Sequence, residues 1–207
     1  MKRVITAVDI PAAGDLRVPV GSVITPSARE VAAGRGVRIL ELPEDQLSAL
    51  APADRTIAIG ADHGGYQLKE RLKPLLEGLG LTARDVGVND EKPADYPDIA
   101  LKVAELVAAG TATRGVIIDG AGIGSSIAAN KVPGVRAALC YDKASARNSR
   151  EHNDSNVLTL GAKLLTETQA EDVLRTWLGT PFAGGRHQAR VQKILAIEQQ
   201  YLKKVNS

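Results

Sequence analysis

From Thr56 onward, short runs of β-branched and aliphatic residues alternate with longer stretches whose apolar positions recur at helical spacing. The short runs predict strands over Thr56–Gly60, Thr82–Val86, Gly115–Asp119, Val135–Leu139 and Val157–Leu160. Between them, helices are predicted over Tyr66–Leu79, Tyr96–Ala109, Gly124–Asn130, Lys143–Asn148 and Thr166–Leu178, with a last one from about Arg186 to Lys204. Strict alternation of strand and helix specifies an α/β fold, a doubly wound, Rossmann-like parallel sheet with helices on both faces. Pro74 sits inside the first of these helices and is expected to kink it. Such sheets bind ligands beyond the carboxyl ends of their strands, which directs attention to the loops after Gly60, Asp119 and Leu139.

The pattern differs before Thr56. The run from Val18 to Thr25 reads as a strand, and Thr25-Pro26 as the start of a short helix over Ser27–Arg35. A stretch rich in Pro, Ala and acidic residues, Leu42 to Arg55, then places a boundary near Arg55. Residues 1–55 form a small N-terminal appendage and residues 56–207 the main domain. A segment of that size is marginal for independent folding, so it is expected to lean on the main domain, another subunit or a partner.

Composition narrows the function. Aromatic residues are 3% of the chain, so its core must be built from Val, Ile, Leu and Ala, as buried parallel strands require. The net charge is +2 with Lys and Arg dispersed among Asp and Glu, which lacks the basic footprint of a nucleic-acid binder. A single cysteine, Cys140, excludes an internal disulfide and a cysteine-cluster metal site, and reads as a core residue in a reducing cytoplasm. No apolar run reaches the roughly 18 to 20 residues of a membrane span, and the N terminus lacks a signal peptide's apolar stretch. A soluble cytoplasmic protein without a membrane or nucleic-acid partner is the expectation.

Four clusters carry candidate chemistry. The loop Gly60-Ala61-Asp62-His63-Gly64-Gly65 leaves a strand and opens a helix, so its backbone N–H groups face an anion at the helix start; alternatively Asp62 caps the helix and His63 is a surface residue. The segment Asp119-Gly120-Ala121-Gly122-Ile123-Gly124-Ser125 has three alternate glycines, which bring several N–H groups near one ligand oxygen or simply make a tight strand-to-helix turn. It is not a P-loop, since no Gly-Lys-Ser/Thr follows, and it misses the dinucleotide spacing. Arg150-Glu151-His152-Asn153-Asp154-Ser155-Asn156 is dense in groups that donate, accept and titrate near neutrality. Finally, Arg186 and Arg190 share a helix face at i and i+4, a two-pronged anion grip or a solvated basic helix end. All three histidines of the chain fall inside these clusters.

Taken together, Asp62-His63-Gly64-Gly65, Asp95-Tyr96-Pro97-Asp98, Gly122-Ile123-Gly124 with Ile127-Ala128-Ala129-Asn130-Lys131, His152-Asn153-Asp154-Ser155-Asn156-Val157 and Gly184-Gly185-Arg186-His187-Gln188-Ala189-Arg190 resemble the ribose-5-phosphate isomerase B family, which includes galactose-6-phosphate isomerase subunits. The resemblance covers residues 56 to 204. It implies interconversion of an aldose and a ketose phosphate through an enediolate, without metal or cofactor, in sites shared across a homodimer or a dimer of dimers. His152 would then open the sugar ring, with Asn153 beside it. The turn would hold the enediolate through Gly120, Gly122 and Gly124, with Ala121, Ile123 and Ser125 touching substrate. Arg186 and Arg190, helped by His63, would grip the phosphate; Lys163 stands where relatives often carry Arg. Asp62 would bond sugar hydroxyls and Tyr96 would line the pocket.

One departure matters. Many members of that family place a cysteine base at position 119 and Thr or Ser at position 121, and another branch uses Glu at position 125; this chain has Asp119, Ala121 and Ser125. Asp before the turn resembles one galactose-6-phosphate isomerase subunit. Cys140 is a strand away and cannot substitute. Two readings of Asp119 stay open, a base made effective by partial burial or an anchor for the turn. The corresponding alternatives to a ribose 5-phosphate isomerase are a partner-dependent or non-catalytic sugar-phosphate-binding subunit, and an isomerase of a six-carbon sugar phosphate. The segments Ile5–Ile10, Val23–Glu30 and Arg35–Ile39 resemble the start of the ethanolamine-utilisation Q protein of bacterial microcompartments. That implies a docking module within residues 1–55 for a shell or cargo protein, the alternative being a structural arm.

Overall fold

A computed structural model of the chain describes residues 4–7, 10, 15–42 and 55–205. The chain divides into two compact units, Met1–Pro52 and Ala53–Ser207.

In the first unit, β1 (Val4–Ile5) pairs in parallel with β3 (Val23–Ile24), and β2 (Asp15–Pro19) with β4 (Arg38–Leu42). The single strand expected over Val18–Thr25 is in fact two, because the chain turns between them at Gly21, whose φ of 81° is left-handed. Helix α1 (Pro26–Arg35) starts as its sequence dictates: Thr25 accepts the Ala28 N–H and Pro26 occupies the first turn. Ile5, Ile10, Val18, Ala28, Ala32 and Val37 bury into a small core of this unit.

The second unit contains the predicted α/β sheet. Its strands are β5 (Thr56–Ala61), β6 (Thr82–Asp85), β7 (Arg114–Asp119), β8 (Ala137–Leu139) and β9 (Val157–Gly161), all parallel, in the order β6-β5-β7-β9-β8. Period-two alternation sorts the strand side chains. Ile57, Ile59, Val116, Ile118, Leu158 and Leu160 join one core, while Ala58, Ile117 and Val157 join the other. Helices α2 (Tyr66–Gly78), α5 (Lys143–Asn153) and α6 (Glu167–Gly179) cover the first face through Leu72, Leu76, Ala146, Leu174 and Trp177. Helices α3 (Tyr96–Ala108) and α4 (Ile123–Ala129) cover the second through Ala100, Val103, Ala104 and Ala129. A long helix, α7 (Arg186–Val205), follows.

Two details depart from the predicted elements. Helix α2 continues through Pro74 for another turn, held by buried Leu72, Leu75 and Leu76. Helix α5 extends five residues beyond Asn148, to Asn153, and ends at Asp154 in a left-handed conformation (φ 47°). Asp154 is tied there by Arg150 at 2.7 Å and Arg136 at 3.1 Å. The extension places His152 and Asn153 on a helix end rather than in a loop.

The chain leaves β5 for the edge strand β6 and returns to β7 on the other side of β5. This reversal puts α2 and α3 on opposite faces and opens a crevice at the carboxyl ends of β5 and β7.

Candidate active site

At the carboxyl end of β5, Asp62 is buried and its Oδ1 accepts the Gly65 N–H at 3.0 Å, which sets the entry into α2. Gly65 cannot carry a side chain, because a Cβ would lie 2.3 Å from the Ile118 carbonyl oxygen of β7. The Asp62–Gly65 loop is thereby pressed against the turn that follows β7. His63 is exposed, and its Nδ1 accepts the Ala94 N–H at 3.3 Å, so a neutral ring carries its proton on Nε2.

The turn after β7 is organised by Asp119. Its carboxylate accepts Ala121 N–H at 2.7 Å and Ser125 N–H at 3.1 Å, together with the Gly122 N–H and the Ser125 hydroxyl. Four donors match the four lone-pair directions of a carboxylate. Asp119 is 5% exposed, so this is a buried, satisfied anion at the head of α4. Gly122 has φ of 76°, and a Cβ there would lie 2.6 Å from Leu139, so the turn can close only on glycine. The cradle is therefore narrower than its sequence suggests. The N–H groups of Ala121 and Gly122, expected to face a ligand, point at Asp119 together with that of Ser125, leaving those of Gly120, Ile123 and Gly124 not spent on it.

Tyr96 and Lys163 complete this end. The Tyr96 ring lies over Gly124, where a Cβ would approach it to 2.5 Å. Lys163 donates its backbone N–H to the Gly120 carbonyl at 3.0 Å, and its exposed side chain passes Gly120. Asp62, His63, Tyr96, Lys163 and the Asp119–Ser125 turn are thus brought together at one end of the sheet.

His152, Asn153, Arg186 and Arg190 are not. Helix α5 runs antiparallel to the strands, so its last turn lies beside the start of β9, whereas Asp119 pairs with Gly161 at the end of β9. Four strand steps separate these levels, about 13 Å at roughly 3.3 Å per residue. Around His152 a second constellation forms. Its ring stacks on His187 with centroids 4.1 Å apart and planes 5° from parallel. Asn148 Nδ2 lies 2.9 Å from His152 Nδ1, and Arg186 Nε donates to His187 Nε2 at 3.4 Å. Arg186, Arg190 and Asn153 are exposed.

Sequence reasoning did not single out His187 or Lys69 as site residues. Confinement of every histidine to a polar cluster was the available signal for the first. Lys69 is fully buried and donates to Asp85 at 2.7 Å and to the Val88 carbonyl at 2.6 Å, fastening the loop after β6. Val88 in turn donates to the Ala61 carbonyl at 3.0 Å, beside Asp62. Burial works against ionisation of Asp85, but Lys69, the Gly87 N–H and Lys73 outweigh it and hold the carboxyl below its ordinary range. Cys140 is a core thiol, pushed up by burial and bonded to Ser149. Among the described residues no three His, Cys, Asp or Glu side chains converge as a metal site would require. No helix among them is long and apolar enough to cross a membrane.

A family profile described as Ribose/Galactose Isomerase matches residues 57–194. Ribose-5-phosphate isomerase B of Escherichia coli is 43% identical over 145 residues, covering 70% of this chain and 97% of that protein. D-erythrulose-4-phosphate isomerase of Pectobacterium atrosepticum is 39% identical over 147 residues, covering 70% of this chain and 96% of its own length. Among solved structures, ribose-5-phosphate isomerase B of Clostridium thermocellum superimposes with a TM-score of 0.69 at 50% identity, over 70% of this chain and 99% of the other. By profile, sequence and fold, the chain belongs to the ribose/galactose isomerase family.

Proposed function

We propose that this isomerase interconverts ribose 5-phosphate and ribulose 5-phosphate through an enediolate, in a site completed by a second copy of the chain. The observation that carries the reading is the separation of the two constellations. One end of the sheet offers the cradle with Asp62, Tyr96 and Lys163; the other offers His152 with Arg186 and Arg190. Each lacks what the other has. In a two-fold pair, the cradle of one copy faces the His152 end of its partner, twice. Exposed Ile123 and Ile127 on α4, and Ile194, Ile197 and Tyr201 on α7, supply apolar surface for that association.

In the complete site the arginines and His63 bind the phosphate, and His152 opens the ring. The Gly120, Ile123 and Gly124 N–H groups stabilise the negative oxygen of the enediolate as the C2 proton moves to C1. Asp119 serves as the anchor of this cradle. It becomes the base only by releasing one of its four donors. The full occupancy of that carboxylate favours one second reading, a binding subunit that needs another chain to supply the base.

The test is conversion of ribose 5-phosphate by the purified chain, with exchange of the C2 hydrogen followed in D2O. Turnover with exchange supports the isomerase. Folded protein that binds the sugar phosphate but neither exchanges nor converts it selects the binding subunit, and a panel of four-, five- and six-carbon phosphates assigns the sugar. The N-terminal unit is proposed to dock the enzyme in a microcompartment; deletion of residues 1–54 should abolish association with shell proteins while leaving turnover in solution intact.

A further inference from the structure

His187 lies outside every role assigned so far, yet its surroundings are specific. Its neighbours on the first turn of α7, Arg186 and Arg190, are exposed, whereas His187 is 7% exposed. One face carries the His152 ring, nearly parallel to it at a centroid distance of 4.1 Å. Its Nε2 accepts from Arg186, so the proton of the neutral ring sits on Nδ1, and that atom is buried without a hydrogen-bond partner. A buried donor left unsatisfied is disfavoured. A purely structural plug at this place would be better served by a phenyl or aliphatic side chain, which suggests that the imidazole is retained for the bond it accepts. Burial, then His152, Arg186 and Arg190, push its pKa down against an opposing pull from Glu151, which keeps it neutral and able to accept.

His152 is fixed from the other side as well. An amide nitrogen only donates, so Asn148 requires the His152 Nδ1 to accept and leaves the His152 proton on Nε2.

We propose that His187 is a positioning residue for sugar-ring opening, a buried platform that orients the His152 ring and the Arg186 guanidinium at once. This rests on the isomerase reading above. In the step it serves, the C1–O4 bond of the furanose breaks with its electron pair passing to O4, and O4 takes the Nε2 proton of His152. The O1 hydroxyl loses its proton to water as the C1=O1 bond forms, and water returns a proton to His152. Because Arg186 grips the phosphate of the same sugar, a shared platform fixes the distance between phosphate and ring oxygen to which the acid must answer.

The experiment compares ribose 5-phosphate with D-erythrose 4-phosphate, whose O4 is esterified and which therefore cannot close a five-membered ring. His187→Ala is expected to lower kcat on ribose 5-phosphate by about 10- to 100-fold, part of the acid's usual contribution. Its kcat on the four-carbon sugar should fall less than about 3-fold, while KM rises for both because Arg186 is loosened. His187→Phe restores the stacking face and should recover most of kcat on ribose 5-phosphate without recovering KM. Equal losses of kcat on both sugars in the folded Ala variant would overturn the proposal, as would a Phe variant as slow as Ala. If the wild type does not accept the four-carbon sugar, the Phe comparison decides alone. Failure of the wild type on both sugars would instead sink the isomerase reading, a distinct outcome.

Discussion

Replacing Asp119 by Asn tests whether the cradle is held together by its own carboxylate. The substitution keeps size and one acceptor oxygen, which can retain the Ala121 and Gly122 N–H groups. The new amide then faces the Ser125 N–H, donor against donor, while the Ser125 hydroxyl can turn to accept. One buried N–H is orphaned, at about 1–3 kcal/mol, and the surviving bonds lose charge assistance of about 1 kcal/mol each. Removing a buried charge returns part of this. The net expectation is about 2–4 kcal/mol, or roughly 5–15 °C in Tm at the 2–4 °C per kcal/mol typical of a unit this size. Thermal melts followed by circular dichroism measure the loss, and C2 exchange in D2O should stay detectable though slower. A variant within about 2 °C of wild type that had lost all exchange would refute the reasoning, since Asp119 would then be a base whose bonds to the turn contribute little.

Other substitutions separate stability from binding in the same region. Gly124→Ala sits early in α4, where Ala is favoured by about 0.5–1 kcal/mol over Gly, and the atoms its Cβ would meet first belong to the exposed Tyr96 ring, which can swing away. Tm should hold or rise slightly while KM for the sugar phosphate increases several-fold; unchanged kinetics would show that Tyr96 does not line the pocket. Asp85→Asn leaves buried Lys69 only its longer, more exposed pair with Glu70 at 3.3 Å and should cost about 2–4 kcal/mol at pH 7, the lower part of the range for a broken buried pair, since Asp85 keeps some exposure and Glu70 remains. The folded carboxyl titrates below its unfolded value, so this stabilisation is complete above the unfolded pKa, about 4, and disappears as pH falls through the folded one. Urea titrations at pH 7 and pH 3 should show the gap between wild type and variant shrinking; a gap independent of pH would remove the ion pair from the account.

The α/β architecture could be read from the chain because strand runs such as Val116-Ile117-Ile118 feed both faces of the sheet, and the Leu spacing of α2 matches the face it buries. Edges were harder. Val135 and Arg136 belong to the same strand-like run as Ala137–Leu139 in the sequence, but the ladder with β9 spans only Ala137–Leu139, the Arg136 carbonyl accepting from Asn156 and Val157 at its start. Asp154 ends α5 late because Arg136 and Arg150, one of them distant in sequence, hold it in a left-handed conformation. The glycine-rich segment was legible from its spacing as a tight strand-to-helix turn. Which of its N–H groups remain for a ligand was not, since that depends on where the Asp119 carboxylate folds. Nor could any pattern show that His152 stacks on His187, which joins two helices, or that the four clusters divide between two ends of the sheet.

In the proposed two-fold pair, that division makes activity a property of both copies together. A chain crippled at its cradle and another crippled at its arginines are each inert alone, yet a mixed pair keeps one undamaged site out of two. Random exchange of equal amounts makes half the pairs mixed, so two dead proteins stirred together should regain about one quarter of full activity. The same geometry makes a copy crippled at both ends dominant, because it spoils both sites of whichever healthy copy it joins, whereas damage at one end alone costs only one site per defective copy.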